Sequence, residues 1–348
     1  MEPHLGTIST EKAQTPAPRR WALLTGVILL AAVALGLALG EGMARLAHVP
    51  VFRVREAAYI GWAKPDPVLG WRNNPGTYPA DEAPHEPMTF LPDGSRYTGP
   101  APADGPAVLI VGCSYAEGYG VRDDQAFAAL LQKRFPNVRI KNYAAPGYGT
   151  YQSLLVLREA VVQRHIHPAA IIYGFLPMHA DRNVLTDSML EAFRGFGGRR
   201  FSPPHVEWAN GRLETFPPFV VPDWPLEEHS ALITLAHQAE LRVKLAGREK
   251  NEAQATLQLM EEMKAVADGQ KAPLLVATLW DGPPPGPEVY AAITRGLERD
   301  GIQHVNVTYH GSETQPDKLR VGGAGHPGVA VHAWWADHLA EWLAAQHR

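Results

Sequence analysis

The stretch Trp21 to Gly40, WALLTGVILLAAVALGLALG, carries no charged side chain. It is about 20 residues long, the length at which a helix crosses ~30 Å of hydrocarbon, and in lipid a helix satisfies its own backbone. A membrane-crossing helix is therefore predicted over 21–40. Arg19 and Arg20 precede it and Arg45, Arg53 and Arg55 follow, so flanking charge alone does not orient it. The short N-terminal tail favours tail inside and the rest of the chain outside. A cleaved signal peptide ending at Ala38-Leu39-Gly40 is the competing expectation, against which stand the polar leader and the unbroken apolar length. Residues 1–20 read as a disordered tail, since 1–18 is rich in Thr, Pro and Ala and has no apolar period.

Beyond the anchor, 41–106 reads as a juxtamembrane helix (Glu41 to Arg55, apolar at helical spacing) followed by a small β cover. The cover is marked by Asp66-Pro67, Leu69-Gly70-Trp71, Asn73-Asn74-Pro75-Gly76 and Thr89-Phe90-Leu91 before Pro92-Asp93-Gly94. Then Ala107 to Val111 forms an apolar run ending in Gly112-Cys113-Ser114, with an amphipathic segment from Asp124 to Arg134 behind it. A buried strand, a tight turn and a helix are predicted. The unit recurs. Strands are expected at 138–142, 169–174, 273–279 and 303–307, and helices at 152–163, 251–268, 287–299 and 328–346. Alternating strands and helices imply an α/β fold over 107–348, a parallel sheet with helices on both faces, whose ligands gather at the carboxyl ends of the strands. Between 181 and 247 the alternation lapses into an insertion containing a hairpin at Asn210-Gly211, a candidate lid or substrate wall.

The 348 residues have a formal net charge of −4, which gives no electrostatic reason to expect nucleic acid. Cys113 is the single cysteine, so neither an intrachain disulfide nor a cysteine-rich metal site can form. His165 and His167 are two apart and no H-E-x-x-H occurs among the 15 histidines, so no metal is expected. No cofactor is expected either.

Ser114 follows a buried strand in Gly112-Cys113-Ser114-Tyr115-Ala116-Glu117-Gly118-Tyr119-Gly120, where its hydroxyl would leave the sheet edge near a helix start that favours negative charge. A simple helix cap and a phosphate cradle are equally open, although the spacing is neither G-x-G-x-x-G nor the Walker pattern. A second glycine loop, Asn142 to Gln152, follows the next strand and lets backbone N–H groups approach a reacting centre closely.

Together with Gly325-His326-Pro327-Gly328 before the last helix, these loops resemble the SGNH (GDSL-like) serine hydrolase family, over roughly Pro65 to the C terminus. The lead-in Leu69-Gly70-Trp71, Thr89-Phe90 and Asp93-Gly94 resembles that of membrane-anchored bacterial members. The resemblance implies a three-layer, flavodoxin-like SGNH hydrolase fold, with Ser114 as nucleophile and His326 as its base. It implies the Ser114 and Gly147 N–H groups as oxyanion donors and His332 as the frequent second histidine.

Two departures stand out. The family's aspartate two or three residues before the histidine is replaced by Ala324 and Gly323, leaving Asp317 or a Ser-His dyad as alternatives. The family's third-block asparagine is absent from Tyr173-Gly174-Phe175-Leu176-Pro177-Met178-His179; His179 or Asn183 could donate instead, and an exposed loop histidine is as good a reading of His179. Cys113 stands where the family commonly has aspartate, and alternation at the strand end turns it away from Ser114. The expected activity is a membrane-anchored serine esterase acting on, above all, acetyl esters of envelope carbohydrate or lipid. An O-acyltransferase on an exported glycan and a non-catalytic scaffold are the alternatives.

Overall fold

The computed structural model describes residues 19–53, 61–80, 86–197, 203–218, 220–311, 320–321 and 325–346. Contacts divide the chain into two units: Met1–Phe52 with Asp223–Ala239, and Arg53–Pro222 with Glu240–Arg348. Of the expected tail, 1–20, residues 1–18 lie outside the described residues, and Arg19 and Arg20 begin the first helix.

In the first unit, α1 (Arg19–Leu46) runs unbroken through the apolar stretch into Glu41–Leu46, so the expected juxtamembrane continuation is present but stops at Leu46, short of the predicted Arg55. The span Arg20–Leu46 is long and apolar enough to cross a membrane, by length and composition. The same unit holds residues 223–239 of the insertion.

The second unit opens with the cover: β1 (Ala63–Asp66) pairs antiparallel with β2 (Gly70–Asn73), and β3 (Gly76–Pro79) with β4 (Pro87–Phe90). The central sheet contains β5 (Ala107–Gly112), β6 (Arg139–Asn142), β7 (Pro168–Phe175), β10 (Leu274–Thr278) and β11 (His304–Asn306), ordered β11-β10-β7-β5-β6 and parallel throughout. Alternate residues of each central strand enter two different cores. Leu109, Val111, Ile171, Tyr173, Leu274 and Val276 pack on one side; Val108, Ile110, Ala170, Ile172, Leu275 and Ala277 pack on the other. Both sets are apolar because both faces are covered, which is why these strands read as continuous apolar runs rather than alternating ones. On one face the cover comes from α4 (Thr150–Arg158), α8 (Glu252–Gly269) and α9 (Pro287–Arg299); on the other it comes from α3 (Phe127–Arg134) and the C-terminal helix Val329–Gln346. The fold is thus a three-layer α/β sandwich. At about 1.5–3 kcal/mol for each fully buried large aliphatic side chain, these two cores supply the main stabilisation.

The predicted helix 152–163 is helical to its expected end, with a change of winding on the way. After Arg158 it widens into a π-helical turn over Glu159–Gln163, where Glu159 receives Arg72 at 3.1 Å and Arg164 at 2.6 Å. In the insertion, β8 (His205–Ala209) and β9 (Arg212–Phe216) form the expected hairpin. Asn210 and Gly211 take φ of 53° and 75° at its tip, the doubly left-handed turn that those residues favour.

Candidate active site

The chain leaves β5 at Gly112 with φ 152°, where a Cβ would lie 2.7 Å from both Ala116 Cβ and Gly174 O. Only glycine fits that approach, and it lets the backbone turn at once into the short helix α2 (Ser114–Glu117). Gly118 closes the turn in the left-handed region and its N–H bonds Ser114 O at 3.0 Å. Ser114 therefore stands at the carboxyl end of a central strand, at the first position of a helix.

Behind this turn lies Arg96, 1% exposed. Its guanidinium donates to the carbonyls of Glu117 (3.0 Å), Gly118 and Val121 (2.6 Å) and faces Asp123 at 3.5 Å. Glu117 is wholly buried and its carboxyl oxygens have no hydrogen bond among the described residues. Burial pushes it up to about 8, with nearby Arg96 and Asn73 pulling the other way.

The second glycine loop is held by the cover. Trp71 Nε1 donates to Pro146 O at 2.7 Å, Tyr148 Oη to Trp71 O at 2.5 Å, and Asn73 Nδ2 to Ala144 O at 2.9 Å. Asn142 ties the two loops together, its Nδ2 donating to Ala116 O at 2.8 Å. Arg182 braces Tyr148 O at 3.0 Å. Gly147 has φ 76°, and a Cβ there would meet Phe193 at 3.0 Å and Trp71 at 3.1 Å. No hydrogen bond engages the N–H of Ser114 or of Gly147 among the described residues, so both are available as donors.

His326 lies in β13 (His326–Pro327), paired with β12 (Arg320–Val321). Its Nε2 is 2.9 Å from Ser114 Oγ. The ring packs against Tyr119, centroids 4.4 Å apart, and meets Tyr115 edge-on at 5.4 Å; Tyr115 in turn stacks on Trp280. Burial, with a smaller push from Arg182 and Arg320, lowers His326 to about 3, so the imidazole is neutral near pH 7 and can accept a proton. Its Nδ1 is buried without a hydrogen bond among the described residues. Asp317, the alternative orienting acid, and Gly323 and Ala324, which stand at the resembled family's aspartate positions, lie outside the described residues.

The other predicted donors fare differently. Asn183 gives both amide protons away, to Thr150 Oγ1 and Thr256 Oγ1 at 2.9 Å each, and its Oδ1 accepts Tyr151 N–H at 3.1 Å. Nothing is left for an oxyanion, so that expectation is corrected to a structural role. His179 is not an exposed loop residue: it is fully buried, with Nδ1 2.7 Å from Tyr173 Oη, and burial holds its pKa well below the ordinary histidine value. Cys113 packs with Leu176 and Trp280, and burial raises its thiol pKa, which suits a packed thiol rather than a nucleophile. His332 is buried behind Phe127, whose N–H reaches its Nδ1 at 3.4 Å. Arg96, Tyr115, Tyr119 and Arg182 were not singled out from the sequence, and only the turns flanking Ser114 hinted that something must fill the space around it.

No family model and no curated protein matches this chain. Among solved structures, the chain is similar to a member of the lipolytic protein G-D-S-L family from Veillonella parvula, with 11% identity, 68% of this chain and 96% of that one covered, and a TM-score of 0.38. It is similar to a psychrotrophic esterase from Pseudoalteromonas, with 12% identity, 68% and 98% covered, and a TM-score of 0.39. An acetyl xylan esterase from the rumen bacterium Butyrivibrio proteoclasticus gives 12% identity, 73% and 67% covered, and a TM-score of 0.37.

Proposed function

We propose that the chain is a membrane-anchored serine esterase of the SGNH type, and the observation that carries this is the 2.9 Å contact between Ser114 Oγ and His326 Nε2 at the rim of the sheet. His326 takes the Ser114 proton as Oγ attacks an ester carbonyl. The N–H groups of Ser114 and Gly147 hold the oxyanion, and Arg182 adds positive potential nearby. The leaving alcohol collects the proton from His326, giving an acyl-Ser114 intermediate. Water, deprotonated by the same imidazole, then releases the acid. Ser114 and His326 are only 5% and 7% exposed, which favours a small acyl group such as acetyl. The helix α1, kept as an anchor with the α/β unit outside, would bring the enzyme to ester-bearing carbohydrate or lipid of the envelope.

The same near-closure favours a second reading, acyl transfer to a glycan hydroxyl, because it keeps competing water from the acyl intermediate. A binding or scaffold protein without catalysis is the third. The full chain in detergent, treated with a serine-directed fluorophosphonate and assayed on p-nitrophenyl acetate, tests all three. Labelling and turnover that disappear in Ser114→Ala support the esterase; acyl transfer to an added sugar in preference to water supports the transferase. Folded protein that neither labels nor turns over overturns both.

A further inference from the structure

One carboxylate ties the insertion to the end of the apolar helix. Glu41 accepts Ser230 Oγ at 2.7 Å and the N–H groups of Leu232 at 2.9 Å and Ala231 at 3.2 Å, all at the start of α7 (Ala231–Leu245). It also holds Arg45 at 2.6 Å, and Arg45 donates to His229 O at 3.0 Å. Phe52 N–H reaches Thr234 Oγ1 at 3.1 Å. A Cβ on Gly40 would sit 3.1 Å from Leu232 Cδ2, so this glycine lets the start of α7 close on the last apolar turn. A spanning helix of about 20 residues leaves hydrocarbon near Gly40, which sets Glu41 and everything bound to it at headgroup depth.

The segment held there presents side chains that water does not favour. Trp224, Leu226 and Leu235 are 38%, 67% and 40% exposed. Leu226 has φ 64°, an uncommon backbone for a residue with a branched side chain. The strain is fixed by the N–H groups of His229 and Ser230, which bond Leu226 O at 2.9 and 3.0 Å. Beneath it, Glu227 and His237 are buried and 2.9 Å apart, and the Trp224 ring stacks on His237 at 5.0 Å. A rigid knuckle therefore displays a strained, exposed leucine beside a tryptophan, the residue types that a membrane interface accepts.

We propose that residues 223–235 form an interfacial foot that lays Trp224, Leu226 and Leu235 into the headgroup layer beside α1. This rests on the anchor reading of α1. Asp223 and Glu228 are the exposed charged residues of the segment, so the foot engages the apolar boundary of zwitterionic lipid rather than anionic headgroups.

Cys113, the single cysteine, is buried, so introduced cysteines can be labelled alone. Leu30→Cys, Leu226→Cys, Leu235→Cys and Val162→Cys full chains, each checked for an unchanged melting curve, would carry nitroxides in phosphatidylcholine nanodiscs. The expected result is a several-fold higher oxygen-to-nickel-chelate accessibility ratio at 226 and 235 than at 162, in the direction of 30. Labels at 226 and 235 that match 162 while 30 reads as lipid overturn the foot and leave the anchor standing. A label at 30 that reads as aqueous overturns the anchor and the foot with it.

Discussion

His326 meets Ser114 through Nε2 at 2.9 Å while its Nδ1 finds no partner among the described residues. An imidazole so placed is a base without a visible carboxylate behind it. With His326 lowered to about 3, kcat/KM on p-nitrophenyl acetate should stay flat from pH 8 down to roughly pH 5 and fall only as pH nears 3. A limb with a midpoint near 6.5 would instead reveal an acid, Asp317 being the candidate, at Nδ1. Replacing the base, His326→Ala, should cost about 10²–10⁴ in kcat. The same depressed pKa bears on folding: the unfolded chain binds the proton first, so stability is full above about 6.5 and is lost as pH falls toward 3.

Gly147→Ala should be harmful out of proportion to one methyl group. At φ 76°, with Phe193 and Trp71 close by, the new Cβ is strained and forces the loop outward. We expect a loss of about 1–3 kcal/mol in urea unfolding and a kcat fall of up to ~10² as one oxyanion donor shifts.

Asn183→Ala separates structure from catalysis. It strips partners from Tyr151 N–H, Thr150 and Thr256, so it should destabilise by about 1–3 kcal/mol. Turnover per folded molecule should drop much less than the ~10²–10³ that marks loss of an oxyanion donor. A drop of that size with unchanged stability would restore Asn183 to the reacting centre.

Glu117→Gln should flatten the alkaline side of the stability profile. The wild-type carboxyl is raised to about 8, so the unfolded state gives up its proton first. Stability is full below about 4.5 and is lost as pH rises through 8, by on the order of a few kcal/mol. Thermal melts of both proteins across pH 5 to 9 (roughly the range of the effect) should differ by an amount that changes with pH; parallel curves would mean that Glu117 is ionised throughout.

Arg96→Lys should not rescue Arg96→Ala. Three carbonyls, of Glu117, Gly118 and Val121, share one planar guanidinium, a geometry a single ammonium cannot reproduce. Either change should cost about 3 kcal/mol or more and lower labelling of Ser114 in step with the loss of fold.

What the sequence by itself determined is whatever depends on near neighbours. The uncharged run Trp21–Gly40 dictates a helix, doubly covered strands dictate apolar runs such as Ala107–Val111, and Asn210-Gly211 dictates a hairpin tip. The glycines around Ser114 and Gly147 were legible too, since backbone conformation and close approach are local demands. The tertiary structure decided the partners. It joined Ser114 to His326 across 212 residues, assigned the Asn183 amide to two threonines, sent the Arg96 guanidinium beneath the turn after Ser114, and clamped Glu41 onto Ser230. Hydrogen bonds of that kind reach only about 3 Å and follow direction, so a polar side chain's partner is chosen by whichever groups packing brings within reach, and periodicity along the chain carries no record of that choice.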